Sequence, residues 1–167
     1  KMAEKIIDIE AMTSEDCSFS VGVINAGKWV NCVSSKASAE VLSMSKRQED
    51  LDDGIARMLD HNDPDSEVTT KIKLGLTRPV WTPSTAGLKL VELANNLATQ
   101  LGQPFRHESS GGGSDGNFTG AMGVPTLDGL GVAGDKYHTL EEHIEIDSLA
   151  MRGRMMAGLL MGINADF

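Results

Sequence analysis

The sequence predicts a mixed α/β chain in two parts, an α+β piece over residues 1–77 and an α/β segment over residues 78–167. Three observations carry this. Residues up to 77 alternate helix-period with strand-period segments, and the last strand is apolar on one side only. The composition breaks at Arg78-Pro79-Val80-Trp81-Thr82-Pro83-Ser84, where two prolines mark a connection. Beyond it, helical and strand-like segments alternate around two glycine-rich loops, the signature of parallel α/β packing.

The elements follow in order. Residues 2–12 place Met2, Ile6 and Ile9 at helical spacing, with acids and lysines between them. Phe19, Val21 and Val23 alternate with Ser20 and Gly22 as a half-buried strand, and Asn25-Ala26-Gly27 signals a turn. A second strand is expected over 36–45, with Ala37, Ala39, Val41 and Ser43 on one face and Ser38, Glu40, Leu42 and Met44 on the other. Residues 48–60 return to helical period through Leu51 and Ile55, and the polar run 61–67 reads as a loop. Val68, Thr70, Ile72, Leu74 and Leu76 form the cleanest alternation in the chain, with Lys71 and Lys73 opposite. A third strand with one open face is expected there.

In the second part, Thr82 is the expected cap of a helix opened by Pro83 and ended by Gly102 and Pro104. Its apolar stripe is Leu88, Val91, Ala94, Ala98 and Leu101. A strand over 104–109, a helix over 114–122, a strand over 124–130 and a last helix over 147–163 complete the series.

Bulk properties narrow the function. Hydrophobic residues are 40% of the 167 and aromatics only 4%, so the core must be built from Leu, Ile, Val, Met and Ala. A net charge of −9 argues against nucleic acid or an anionic membrane as the main partner. No apolar run approaches the roughly 18 residues that span a bilayer as a helix. There is no basic-then-apolar opening either, so the expected location is cytoplasmic. Cys17 and Cys32 read as reduced, strand-borne core residues, with one disulfide as the alternative. The chain starts at Lys1, directly in a helical pattern and without Met, and is expected to be a piece of a longer protein.

Two segments carry possible chemistry. The first, Ser109-Ser110-Gly111-Gly112-Gly113-Ser114-Asp115-Gly116, lies between an expected strand and helix. There glycines let the backbone approach an anion and a helix N-terminus offers free N–H groups. A flexible Gly/Ser connection with Asp115 as a helix cap explains the same residues. No Lys follows the glycines, so this is not a Walker loop. The second segment, residues 129–143, leaves the carboxyl end of an expected strand, where open α/β sheets place ligands, and it contains His138. A loop histidine is either a surface residue or a metal ligand. His143 lies five residues on and does not complete a His-Glu-x-x-His helix, and Glu141, Glu142 and Glu145 read as a solvated acidic stretch. His61 and His107 carry no motif.

Together these segments resemble the zinc metallopeptidase family of glutamate carboxypeptidases, aminoacylases and succinyl-diaminopimelate desuccinylases. The run GGGSDGNFTGAMGVPTLDGLGVAGDKYHTLEEHIEI is similar to that family's closing signature, and SFSVGVINAGKWVNCVSSKASAEV to its lid-domain strand pair. The resemblance covers nearly the whole chain but about the last two-fifths of a typical member. It implies a fragment of a zinc-peptidase α/β catalytic domain, with residues 1–77 as part of an inserted, ferredoxin-like α+β lid that lacks its first strand. Residues 78–167 would be the end of the catalytic domain. It further implies a hydrolase of amide bonds, of carboxypeptidase or aminoacylase type, acting on small peptides or N-acyl amino acids. Two zinc ions per site and homodimers formed through the lid are implied as well.

Carried over by motif, His138 matches the last zinc ligand. Gly112, Gly113 and Ser114 match the loop that holds the substrate carboxylate, and Asn31 matches a lid asparagine that reaches the active site. The other ligands and the general-base Glu would lie upstream, so this chain alone is expected to be inactive. Two departures bear on specificity. Asn31-Cys32-Val33-Ser34 replaces the usual Asn-Val-Val-Pro. Leu42-Ser43-Met44 replaces an Asp-x-Arg whose Arg would grip a carboxylate, leaving Lys46 or Arg47 as substitutes near the start of the next helix. The alternative from another class is a non-catalytic dimerisation or binding module derived from the same family.

Overall fold

The computed structural model describes residues 1–163. The chain forms two compact units that divide between Val80 and Trp81.

In the first unit, helix α1 (Met2–Glu10) leads to strand β1 (Cys17–Ala26), strand β2 (Ala37–Ser45) and helix α2 (Gln48–Leu59). β1 and β2 are an antiparallel hairpin, in register from Cys17 opposite Ser45 to Ala26 opposite Ala37. The register slips at Gly22, so Val21 faces Val41 and Val23 faces Glu40. This bulge reverses the phase of β1. Cys17 and Phe19 are buried before it, whereas Val23 and Ile24 are exposed after it. The core is Ile9 of α1 with Cys17 and Phe19, packed by Met12, Val21, Val41 and Met58. Thr13 ties helix to strand, its Oγ1 accepting the Phe19 N–H at 3.0 Å and donating to the Phe19 carbonyl at 3.1 Å.

The third strand expected over 68–76 does not form. Among the described residues its only ladder contact is an isolated bridge between Asp63 and Thr70, and Val68, Leu74 and Leu76 are exposed. Alternation prepares one face for burial, but a strand also needs a neighbour for its N–H and C=O groups. Both cysteines are free, as expected. Cys17 is buried on β1, whereas Cys32 is exposed in the hairpin loop rather than on a strand in the core.

The second unit is helical, with α3 (Thr85–Gln100), α4 (Gly116–Ala121) and α5 (Ile146–Gly162). Its cap is Ser84, whose Oγ accepts the Gly87 N–H at 3.1 Å, two residues beyond the expected Thr82. α3 ends as the sequence predicts, at Gly102 with φ +65°. The Gln103 N–H donates to Ala98 O at 2.8 Å and the Gly102 N–H to Thr99 O at 3.1 Å, the Schellman pattern. Gly123, φ +82°, ends α4 in the same way. The core joins Ala94 and Ala98 of α3 to Met155 and Leu159 of α5, with Leu93, Leu97, Phe105, Leu127 and Leu130 around them.

The strands expected over 104–109 and 124–130 are not ladders here, and the expected parallel pairing is absent among the described residues. The pairs present are antiparallel, the second being β3 (Gly134–Asp135) with β4 (His143–Ile144). The mixed α/β class nevertheless holds, since helices pack on a hairpin in one unit and on irregular chain in the other. Each core is thin. The total accessible surface is 12393 Å², against about 9,600 Å² for two separate compact bodies of half the mass each.

Gly54 of α2 sets the spacing of the first core. A Cβ there would lie 2.6 Å from Cys17 Sγ and 3.2 Å from Phe19 Cζ. Gly54→Ala gains about 1 kcal/mol of helix propensity and incurs about 1–3 kcal/mol of overpacking. A net loss of stability in chemical denaturation is therefore expected. Gly75→Ala, with nothing within 4 Å, should stay within about 0.5 kcal/mol of the parent.

Candidate metal and carboxylate site

The second unit carries most of the predicted site residues on two irregular segments. In the glycine segment, Gly112 and Gly113 are exposed and Ser114 is half-buried. Asp115 is the N-cap residue of α4, as expected. Ser114 before it adds a reciprocal pair resembling a capping box, its Oγ accepting the Gly116 N–H at 3.1 Å while its own N–H donates to Asn117 Oδ1 at 2.9 Å. The Gly112 N–H donates to Ser110 Oγ at 3.1 Å. Of the three expected carboxylate binders, Gly113 alone therefore keeps its N–H without a partner among the described residues. The start of α4 is fitted against the 126–128 segment, where a Cβ on Gly116 would lie 3.4 Å from Thr126 Cγ2 and 3.5 Å from Asp128 Cβ.

His138 lies between β3 and β4, exposed, with φ +65°. Lys136, two residues before it, also has positive φ, at +58°. Non-glycine residues in this region carry steric strain and persist only where surrounding bonds impose it. Those bonds are present. The His138 N–H donates to Glu142 Oε2 at 3.2 Å and Thr139 Oγ1 donates to Lys136 O at 2.7 Å. Tyr137 Oη donates to Gly134 O at 2.9 Å, and Lys136 Nζ pairs with the Glu141 carboxylate. The acidic stretch is thus part of the loop's internal frame rather than only a solvated run. The imidazole of His138 has no hydrogen-bond partner among the described residues, whereas His143 Nδ1 lies 2.9 Å from Glu141 O.

One residue the sequence reading missed holds this loop to the core. Ser148, in the first turn of α5, is 2% exposed. Its Oγ accepts the Ala133 N–H at 2.9 Å and donates to Glu145 O at 2.6 Å. The Glu145 N–H in turn donates to Ala133 O at 2.8 Å. A serine after an acidic run reads as an ordinary helix start, so no local signal marks it. Gly134 is similar, since a Cβ there would collide with the His143 carbonyl oxygen.

The remaining predicted residue, Asn31, sits exposed in the β1–β2 loop of the first unit, where its Oδ1 lies 3.8 Å from Cys32 Sγ. Met44, at the position of the expected Arg, is exposed on β2. Arg47 does not replace it freely. It is the N-cap residue of α2, and its guanidinium lies 2.6 Å from Glu49 Oε2 and 3.4 Å from Asp50 Oδ2. The hydrogen bond to Glu49, then the charge of Asp50, raise its already high pKa further.

Among the described residues, no three His, Cys, Asp or Glu gather to hold a metal ion. His138 presents an unengaged imidazole on a loop whose backbone groups are hydrogen-bonded.

Comparison with known proteins bears on these segments. The model of peptidase family M20/M25/M40 matches residues 3–162. Carboxypeptidase G2 of Pseudomonas sp. (strain RS-16) is 25% identical over 158 residues, 91% of this chain and 38% of that protein. Among solved structures, aminopeptidase PepT from Bacillus cereus ATCC 10987 superposes with a TM-score of 0.63 at 20% identity. It aligns with 94% of this chain, which spans 44% of that one. A tripeptidase from Staphylococcus aureus subsp. aureus Mu50 gives a TM-score of 0.61 at 24% identity, with 95% of this chain and 43% of its own covered. The chain thus spans about two-fifths of the length of these proteins.

If Ser148 and Glu142 set the loop, removing them should loosen it to different extents. Ser148→Ala leaves the Ala133 N–H without its acceptor and should cost about 1–3 kcal/mol, with faster amide exchange at Ala133 and His138. Glu142→Ala should speed exchange at His138 alone, since Glu142 is exposed and its bond contributes little to global stability. Backbone hydrogen exchange followed by NMR checks both.

Proposed function

The chain belongs to peptidase family M20/M25/M40, and on that footing we propose that its parent is a metal-dependent hydrolase of amide bonds, to which this chain supplies one metal ligand and part of the substrate site. The observation that carries this reading is His138. A strained backbone, fixed by Glu142 and by the Lys136–Thr139 turn, offers an imidazole that nothing else in the described residues engages. Structures keep such strain where geometry matters more than local stability.

In this reading residues 1–77 are a lid and dimerisation domain and residues 78–167 the closing segment of the catalytic domain. Zinc is the metal that suits a neutral imidazole ligand; it would lower the pKa of its bound water and polarise the amide carbonyl. Gly113 offers its free N–H to a substrate carboxylate. Gly112 and Ser114 would join only by releasing Ser110 Oγ and Asn117 Oδ1. Asn31, in the first unit, is a further proposed substrate contact.

The likeness to carboxypeptidase G2 supports a carboxypeptidase-type reaction, with an aminoacylase-type reaction on N-acyl amino acids as the other form of the proposal. The exposed Met44 and the paired Arg47 speak against a lid arginine as the carboxylate grip. With one ligand of a set, the chain alone is expected to hold metal weakly and to be inactive. A homodimer formed through the lid and a cytoplasmic location complete the proposal.

Metal content and amidase activity of the full-length parent test it together. The parent should bind about two zinc ions, and His138→Ala should deplete bound metal and abolish hydrolysis. An unchanged metal content in His138→Ala would remove the residue from the site.

A further inference from the structure

The loop that carries Asn31, residues 27–36, has chemistry of its own. Its sequence, Gly-Lys-Trp-Val-Asn-Cys-Val-Ser-Ser-Lys, holds two lysines and no carboxylate in a chain of net charge −9. The neck is tied. Gly27 turns the chain at φ +74°, and Ser34 Oγ accepts the Gly27 N–H at 2.9 Å and donates to Lys36 O at 2.6 Å. The Cys32 N–H donates to Trp29 O at 3.3 Å. The apolar side chains of this closed loop nevertheless stay in water, with Trp29 67%, Val30 107% and Val33 99% exposed. The loop borders a solvent-open depression of about 340 Å³ lined by Lys28, Trp29, Cys32, Val33 and Lys36, among others. That is within the size range of small-molecule pockets.

The charges are uncommitted. Ion pairs of this unit include Lys1 with Glu4 and Asp63, Arg47 with Glu49 and Asp50, and Arg57 with Asp53, all away from the loop. Among the described residues neither Lys28 nor Lys36 has such a partner. Lys28 Nζ lies 6.0 Å from the Trp29 ring centroid, at the outer limit of a cation–π contact.

We propose that this depression binds a small anion with a flat apolar body, an aromatic carboxylate by class. The ring stacks on Trp29 and against Val33, and the carboxylate is held by Lys28 and Lys36. Neither half suffices alone. Exposed lysines hold a bare anion weakly because solvent screens them, and one open tryptophan face gives a neutral ring little affinity. The identification of this occupant as part of a substrate rests on the Asn31 reading above; the binding itself does not.

The test uses the ¹⁵N-labelled chain, in which the indole Nε1–H signals of Trp29 and Trp81 are separate reporters. The probes are 2-naphthoate and its neutral isostere 2-naphthamide. Saturable movement of the Trp29 signal by naphthoate, with Trp81 unmoved, is expected. Lys28→Met with Lys36→Met should weaken naphthoate about three- to tenfold, to the level of naphthamide, whereas Lys28→Arg with Lys36→Arg should retain binding. Equal movement of Trp29 by both probes, no movement by either, or unchanged binding in the methionine variant would each overturn the proposal. Loss of metal from the parent in His138→Ala bears on the metal reading alone, so the two can fail separately.

Discussion

The close approach of α3 and α5 is the constraint on which the second unit depends. Ala94 and Ala98 are fully buried on α3, and Gly158 and Gly162 of α5 lie against Leu97 and Leu93. A Cβ at Gly158 would come within 3.0 Å of Leu97 Cδ2, and one at Gly162 within 3.2 Å of Leu93 Cδ1. Small residues on one helix thus receive the leucines of the other, at the close packing of protein interiors. Phe105, Leu127 and Leu130 then anchor both irregular segments to that pair of helices. The glycine segment and the His138 loop have little regular structure of their own, so their placement is inherited from this contact.

From the helix pair the order propagates outward through hydrogen bonds. Ser148 fixes Ala133, the β3–β4 pair closes the loop, and within the loop carboxylates and a threonine take up backbone N–H groups. The result is a hydrogen-bonded frame in which, among the described residues, the His138 imidazole has no partner.

The first unit follows another logic. Its hairpin is buried only at the end near α1 and α2, where Ile9, Cys17 and Phe19 meet Gly54. Beyond the bulge at Gly22 the strands run into solvent and deliver an apolar, positively charged loop. Rigidity at one end and exposure at the other is the arrangement of an element that presents a surface rather than one that fills a core.

Much of this was legible in the chain. Helical period located all four long helices to within a few residues, and alternation located β1 and β2, because those signals record one-sided burial and act over a few neighbours. Glycine turns correctly marked the C-terminal end of α3, at Gly102 before Pro104, and the hairpin neck at Gly27. The resemblance of residues 111–146 to a peptidase family pointed to His138 and the glycine segment from the sequence alone. The sequence by itself therefore determined the mixed class and the family. Tertiary structure alone decided that residues 68–76 pair at a single bridge, that Ser148 holds the histidine loop, and that Gly113 rather than Gly112 keeps a free N–H. The reason is physical: burial preference is written residue by residue, but a hydrogen bond needs a partner, and only the folded chain determines which partner arrives.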